Sequence, residues 1–472
     1  MEHIRKSIVQ AQVVCTEYDP HVPSRVIDEN EYSGTCFRVD NKLFPFGDKV
    51  LFMTNFHVCD NADDRVVHLR TAGMGKNALS GFIEAVVPTL DCAIISLMDE
   101  HEKWFLEDSP EEWIDNITIA PLKTTRITTK TQKVSTIGFP QGLEEQLSSG
   151  WLAGRGSDDM DMLQLNISIN SGNSGGPLFD KTGKVIGVCT STLNESEAIA
   201  FAVPIYSIIE YFKKYYESPF GRFPQWGVKL MPMTDAFADE FGITKAGAVV
   251  QEVEEGSACA ALKKGDVVHS VSSEDQTWKL DRFGLIHDDT RGSKITMNNT
   301  EFIMRLTPGQ ITLNITRKTP MSLQITPKPI NYKVTENYKE WNPIETYTLG
   351  PITMQTLSKS LIMSEGMPTD KLVEIVEILK QTKCMKELVI ITHVQPRSYV
   401  NNLEVNAEFR IVEKIGRYCV KDMQNCIKLL EAVRQRWERG EQKRICIGTN
   451  SGDIWLTLGL LGMKRKRLYG EE

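Results

Sequence analysis

The stretch NSGNSGGPLFDKTGKVIGV, Asn170 to Val188, sets one serine, Ser174, in a run of glycines. Three readings compete for it. Gly172, Gly175 and Gly176 make a turn unaided, because glycine takes the positive φ of tight turns at no steric cost. The pattern Gly172-x-Ser174-x-Gly176 also fits the nucleophile elbow of an α/β sheet. The third reading is the nucleophile of a double β-barrel, preceded in the chain by its histidine and its aspartate.

The elbow needs a helix directly after the serine, then an acid and a histidine downstream. Here Pro177 follows, and the chain runs strand, Asp-Lys-Thr-Gly turn, strand. The later histidines, His269, His287 and His393, fall in segments unlike such a sheet. The elbow fails on both counts. The barrel reading finds its partners upstream. LFMTNFHVCDNA places His57 at the end of an apolar strand, and VPTLDCAIISL places Asp91 at the mouth of a strand of buried type. An acid there is costly unless paired, and an imidazole is a natural partner. His57 is then the base that takes the Ser174 proton, and Asp91 fixes the imidazole tautomer. Each residue alone has a blander explanation, as a turn or strand-end residue. The three in that order, each at a strand edge, favour a triad.

The surroundings agree with a β fold. SGTCFRV, KVLFMTNF, VVHLRTA, DCAIISL, KVSTIGF, LQLNISI and VIGVCTS read as short strands between Gly, Asp and Asn breaks over residues 30–205. IYSIIEYFKKYYE then has helical spacing, and SPFGRFPQ reads as a domain boundary. Over 472 residues, typical domain sizes predict two to four domains. A net charge of −8 argues against nucleic acid as the main partner. No apolar run is long enough to span a bilayer, so no membrane partner is expected. None of the ten cysteines forms a C-x-x-C pair, so neither metal nor other cofactor is expected. The first twenty residues hold no continuous apolar segment of the signal-peptide kind. The expected location is therefore intracellular, cytoplasmic or nuclear, with reduced thiols. The basic run Lys464 to Arg467 reads as a solvated end.

TNFHV, DCAIISL and NSGNSGGPLFDKTGKVIGV, with STIGFPQG and AIAFAVPI, resemble the signature strands of the HtrA/Deg family of trypsin-like serine proteases. The resemblance covers about residues 30–205. It implies an oxyanion hole at Gly172, Asn173 and Ser174, with the N–H groups of Gly172 and Ser174 as donors. Digestive trypsin-like enzymes carry an aspartate where Asn173 stands, and it pairs with a newly cut N-terminus. Asn173 cannot make that ion pair, so activation by N-terminal cleavage is not implied. The resemblance puts Ser168 at the floor of the specificity pocket and Ala198, Ile199 and Ala200 on its wall. With no carboxylate there, small to medium aliphatic residues are expected before the scissile bond. Cys36 and Cys59 flank the His57 strand, and the expectation for them is two thiols.

A second pattern lies downstream. EVEEGSACAAL from Glu252 and HVQPRSYVNNL from His393 share a valine, a serine and a leucine, each pair 141 residues apart. Two related domains in tandem are the simplest account. RFPQWGVKL and the segment after it resemble a PDZ domain of the HtrA type, which implies a peptide-carboxylate loop at Gln225, Trp226, Gly227 and Val228. In the later copy Gly265 and Asp266 become Asn406 and Ala407. That resembles the degenerate second PDZ of the plant-type Deg branch, with a role in assembly or gating. The expected fold is mainly β: a trypsin-like double β-barrel followed by two PDZ-like α+β domains. The expected domains are a protease domain at 1–217, a PDZ domain at 222–319, a linker at 320–344, a degenerate PDZ-like domain at 345–460 and a basic tail at 461–472.

The function implied is ATP-independent cleavage of unfolded or damaged protein by a homo-oligomer, a trimer or a multiple of one, with peptide C-termini as PDZ ligands. Two alternatives stay open: a peptide-binding chaperone or scaffold with an inactive protease domain, and a protease dedicated to one specific substrate.

Overall fold

Between Ile8 and Pro204, twelve strands among the described residues close into two six-stranded barrels in a computed structural model of the chain. Described are residues 2–460 apart from 23–24, 72–76, 109–116, 128–130, 140–144, 156–161, 168, 170–171, 193–198, 243–245, 255, 275, 289–292, 307, 330–340, 342–343, 365–366, 382–386 and 401–406.

The first barrel is built from β1 (Ile8–Tyr18), β2 (Val26–Val39), β3 (Leu51–Thr54), β4 (Val66–Arg70), β5 (Leu79–Val87) and β6 (Cys92–Leu97), in the order β1-β2-β3-β6-β5-β4. Most of β5 alternates buried and half-buried residues, as a barrel wall requires, whereas all of β6 is buried. The second barrel takes β7 (Gln132–Gly138), β8 (Gln146–Arg155), β9 (Leu163–Asn166), β10 (Pro177–Asp180), β11 (Val185–Thr192) and β12 (Ala200–Pro204), in the order β10-β11-β12-β9-β8-β7. Val134, Leu152, Leu165, Leu178, Ile186 and Cys189 fill its core. Closure pairs every strand on both sides and so removes exposed edges. The strands read from the sequence lie in these barrels. The sequence reading missed β1, IVQAQVVCTEY, although much of it alternates buried and more exposed residues as a half-buried strand does.

The two barrels belong to one compact unit, residues 1–15 and 31–330, which also holds a helix and a further sheet. The helix Ile205–Lys214 buries Ile205, Ile208, Ile209 and Phe212, the face its spacing predicts. Phe212 meets Phe44 edge-on, ring centres 5.3 Å apart. The SPFGRFPQ segment is tied back to β5: Val86 N–H donates to Pro219 O at 2.8 Å, and Gly221 N–H donates to Val86 O at 2.7 Å. The further sheet has six strands, β13 (Val228–Pro232), β14 (Ala248–Val253), β15 (Val267–Ser273), β16 (Gln276–Lys279), β19 (Ile311–Arg317) and β20 (Thr319–Ile325). The hairpin of β17 (Leu285–Asp288) and β18 (Ser293–Thr296) is inserted within it. Buried Asp266 holds the sheet's end by accepting two bonds from Arg317, at 2.8 and 2.7 Å.

The second unit holds residues 16–30 and 331–472. Its sheets are β21 (Thr346–Leu349), β22 (Ile352–Thr356) and β23 (Val389–Val394), and then β24 (Val412–Ile415), β25 (Tyr418–Cys419), β26 (Arg444–Thr449) and β27 (Gly452–Thr457). The helix Met423–Glu438 packs Met423, Cys426, Leu430, Val433 and Trp437 into the core. It starts where the Asp422 carboxylate accepts from Asn425 N–H at 2.8 Å. β26 and β27 form a hairpin at Asn450-Ser451-Gly452-Asp453, with Thr449 facing Gly452 across a two-residue turn. The far part of the β1–β2 hairpin belongs to this unit, where Pro20 O accepts from Gln355 Nε2 at 2.8 Å.

Candidate active site

β3 and β6 are neighbours in the first barrel, with Thr54 facing Ala93. That register lays the residues after β3 beside those before β6. His57 sits in the short 3-10 turn Phe56–Val58, and Asp91 closes a second one, Pro88–Leu90. Asp91 has φ +42°, in the left-handed region that aspartate tolerates better than most residues. This conformation aims its carboxylate at His57. Asp91 Oδ1 accepts from His57 N–H at 3.0 Å, and the two carboxylate oxygens lie 2.8 and 3.0 Å from His57 Nδ1. Thr190 Oγ1, from β11 of the other barrel, donates to Asp91 Oδ2. A carboxylate on Nδ1 puts the imidazole proton there and leaves Nε2 as the basic nitrogen.

The electrostatics follow the same contacts. Burial pushes the His57 imidazolium down. The hydrogen bond and charge of Asp91, with the charge of Asp60 added, outweigh it, so His57 titrates above its ordinary value. Asp60 is pushed up to about 6 by burial.

Ser174 comes from the loop before β10. Gly172 and Gly175 take φ of +97° and +84°. A Cβ on Gly175 would lie 2.1 Å from both Thr35 O and Thr54 Oγ1, so only glycine fits between the barrels there. Thr35 on β2 anchors the loop. Its N–H donates to Ser174 O at 2.9 Å, and its Oγ1 donates to Gly172 O at 2.6 Å while accepting from Phe139 N–H at 3.1 Å. Among the described residues, no acceptor engages the N–H of Gly172 or Ser174. Ser174 Oγ donates to Thr190 O at 2.8 Å, and no hydrogen bond joins it to His57.

The structure thus brings together His57, Asp91 and Ser174 with the Gly172 and Asn173 backbone. Asn173 is buried at 1% exposure, and its Oδ1 has no hydrogen-bond partner. Ser168 and Ala198 lie outside the described residues. Ile199 is half-buried, and Ala200 is fully buried in β12, paired with Leu165 and Thr192. In the downstream sheet, Gln225 N–H donates to Lys328 O at 3.1 Å. Trp226 is buried and its Nε1 donates to Met297 O at 2.7 Å. Gly227 O accepts from Glu254 N–H at 2.9 Å, and Val228 O accepts from Asn298 Nδ2 at 3.3 Å. Asn406 and the basic run at 464–467 also lie outside the described residues.

Sequence reading missed Thr35, Asn55 and Thr190. Their signal was a polar residue interrupting a buried run: Thr35 in SGTCF, Asn55 in FMTNF and Thr190 in VIGVCT are all buried.

Residues 34–188 match the family model of the trypsin-like peptidase domain. Over 151 residues the chain is 35% identical to the probable periplasmic serine endoprotease DegP-like of Bartonella henselae, covering 30% of each chain. The barrels hold a trypsin-like peptidase domain, similar to that of HtrA/Deg serine endoproteases. A relative of the same name from Halomonas elongata is 28% identical over 233 residues, 47% of this chain and 45% of that one. Serine protease HTRA4 of Mus musculus is 29% identical over 199 residues, 37% of this chain and 41% of that one. The chain spans less than half the length of these curated relatives. Among solved structures, the HtrA-type protease AlgW with tripeptide has a TM-score of 0.49 and 20% identity, over 70% of this chain and 96% of that one.

These names correct one expectation. The bacterial relatives are named periplasmic enzymes, which overturns the intracellular, cytoplasmic or nuclear location. That expectation rested on a missing apolar run, and an absence of that kind does not fix a compartment. Among the described residues, no helix is long and apolar enough to cross a membrane. Cys36 and Cys59 are buried thiols, both pushed up by burial.

Proposed function

We propose that this HtrA/Deg-type chain is a serine endopeptidase that cleaves unfolded or damaged protein. The observation that carries the proposal is the Asp91 carboxylate at 2.8 Å from His57 Nδ1, beside the loop that bears Ser174. In this reading Ser174 Oγ leaves Thr190 O, turns to His57 Nε2 and attacks the scissile carbonyl as His57 takes its proton. The imidazolium is held by Asp91 and then protonates the leaving amine. The unengaged N–H groups of Gly172 and Ser174 receive the oxyanion, and one such donor is typically worth about 10²–10³ in rate. Water then releases the acyl group by the same steps in reverse.

The finer reading is that small to medium aliphatic residues precede the cut, with Ser168, Ala198, Ile199 and Ala200 around the pocket. The segments at 222–319 and 345–460 act as PDZ-like modules. The first takes a peptide C-terminus at Gln225–Val228, and the second serves assembly of a homo-oligomer, a trimer or a multiple of one. An inactive scaffold is not favoured, because an inactive domain has no need of a preserved imidazole–carboxylate pair. The test is mass-spectrometric mapping of cuts in a denatured proteome, by the wild type and by Ser174→Ala. Cuts after aliphatic residues, lost in the variant, are expected; cuts that persist in Ser174→Ala would sink the assignment.

A further inference from the structure

Asn55 occupies the junction between the two halves of the site. It follows β3 directly, two residues before His57, and is fully buried. A buried amide must satisfy both its ends. Asn55 Nδ2 donates to Asp91 O at 2.9 Å, and Asn55 Oδ1 accepts from Gly175 N–H at 2.6 Å. One side chain therefore holds the main chain of the acid and the peptide just after the nucleophile, across the gap between the barrels. Asp91, at φ +42°, is the strained partner that needs holding, whereas Gly175 takes its φ of +84° without steric cost. Gly175 N–H is shared with Cys189 O at 2.9 Å, so the Asn55 contact adds to a bond within the second barrel rather than replacing one.

We propose that Asn55 is a positioning residue that sets the Asp91–His57 pair and Ser174 in one frame. It touches no reacting atom. Its amide suits the task because it offers a donor and an acceptor on one rigid plane, which neither a carboxylate nor a hydroxyl provides at that length. Displacing a catalytic group by about 1 Å can cost about 10²-fold in rate.

This inference rests on the endopeptidase reading, so its test carries one readout that does not need turnover. Asn55→Asp keeps the size and the acceptor toward Gly175 but loses the donor to Asp91 O. Asn55→Ala loses both bonds. Kinetic constants are measured on a peptide cut by the wild type, with kcat normalised to sites titrated to completion by a fluorophosphonate. Asn55→Ala is expected to lower kcat per titrated site by about 10²-fold, with KM changed by less than about threefold. Asn55→Asp is expected to fall between it and the wild type. Independently, NMR titration of 13C-labelled histidine reads His57 in each protein. The His57 pKa is expected to fall toward its ordinary value in Asn55→Ala, because Asp91 is no longer held against Nδ1. A purely structural role would lower the titratable fraction and leave both kcat per site and the His57 pKa unchanged, and that result would overturn the proposal. If Asn55→Ala does not fold, Asn55→Asp decides: kcat per site within about twofold of the wild type contradicts it. A wild type that cuts no peptide would sink the endopeptidase reading alone, with the His57 titration still deciding for or against Asn55.

Discussion

The two barrels share one strand count and contribute to the site in opposite ways. The first delivers a finished pair, with the Asp91 carboxylate bound to His57 Nδ1, His57 N–H and Thr190 Oγ1. The second delivers a loop whose nucleophile faces elsewhere, with Ser174 Oγ on Thr190 O. The base is set while the serine is parked. Thr190 touches both halves, its hydroxyl on the acid and its carbonyl on the nucleophile. In the proposed mechanism, Ser174 Oγ must rotate away from Thr190 O before it attacks. A loop held at its backbone by Thr35 keeps that rotation local.

The contrast breaks most severely on the first-barrel side. Asp91→Asn removes the charge that holds the imidazolium and permits the wrong tautomer, so kcat is expected to fall by about 10⁴-fold. The pH profile should move too. Neutral His57 is the active form, so kcat/KM of the wild type rises with pH through a His57 pKa above about 6.5. In Asp91→Asn the residual activity should rise at lower pH; an unshifted profile would show that Asp91 does not set the base.

On the second-barrel side the expected effect is smaller. Thr35→Val keeps the shape and removes the hydroxyl that holds Gly172 O and Phe139 N–H. Each of the two lost buried hydrogen bonds costs about 1 kcal/mol, so kcat should drop by up to roughly thirtyfold with KM nearly constant. Steady-state kinetics that show no loss would mean the loop is held by Gly175 and the Thr35 backbone alone.

The smallest effect belongs to the turn behind the nucleophile strand. Asp180 accepts from Thr182 N–H at 2.8 Å, Thr182 Oγ1 at 2.6 Å and Lys184 N–H at 3.1 Å. Burial pushes its carboxyl up, but these donors and Lys123 outweigh it and leave the carboxyl below its ordinary value. Such a group adds stability above its unfolded pKa of about 3.9, and that stability is lost as pH falls through the folded value. Asp180→Asn should destabilise the fold by about 1–2 kcal/mol at pH 7 and by less near pH 3, read by urea unfolding at both. An equal loss at both values would remove the charge from the explanation.

Much of this site was legible in the sequence, because its chemistry sits where strands end. His57 and Asp91 each interrupt an apolar run, Ser174 sits in a glycine-rich turn before a strand, and their order selects a barrel over an elbow. The partners of the supporting side chains were not legible. Thr35, Asn55 and Thr190 bond across to the other barrel, and chain separations of 99 to 137 residues leave no local trace of which group each one holds. β1 was missed although its alternating pattern, Ala11, Val13 and Cys15 inward between more exposed residues, is itself a strand signal. The location was missed because it was read from an absence.

The most direct measurement is the rate of fluorophosphonate labelling against pH, with the labelled residue located by peptide mass spectrometry. The account predicts a single label on Ser174, a rate that rises through one ionisation above about 6.5, and no label in Ser174→Ala. A label elsewhere, or a rate on Ser174 indifferent to pH, would contradict a serine activated by His57.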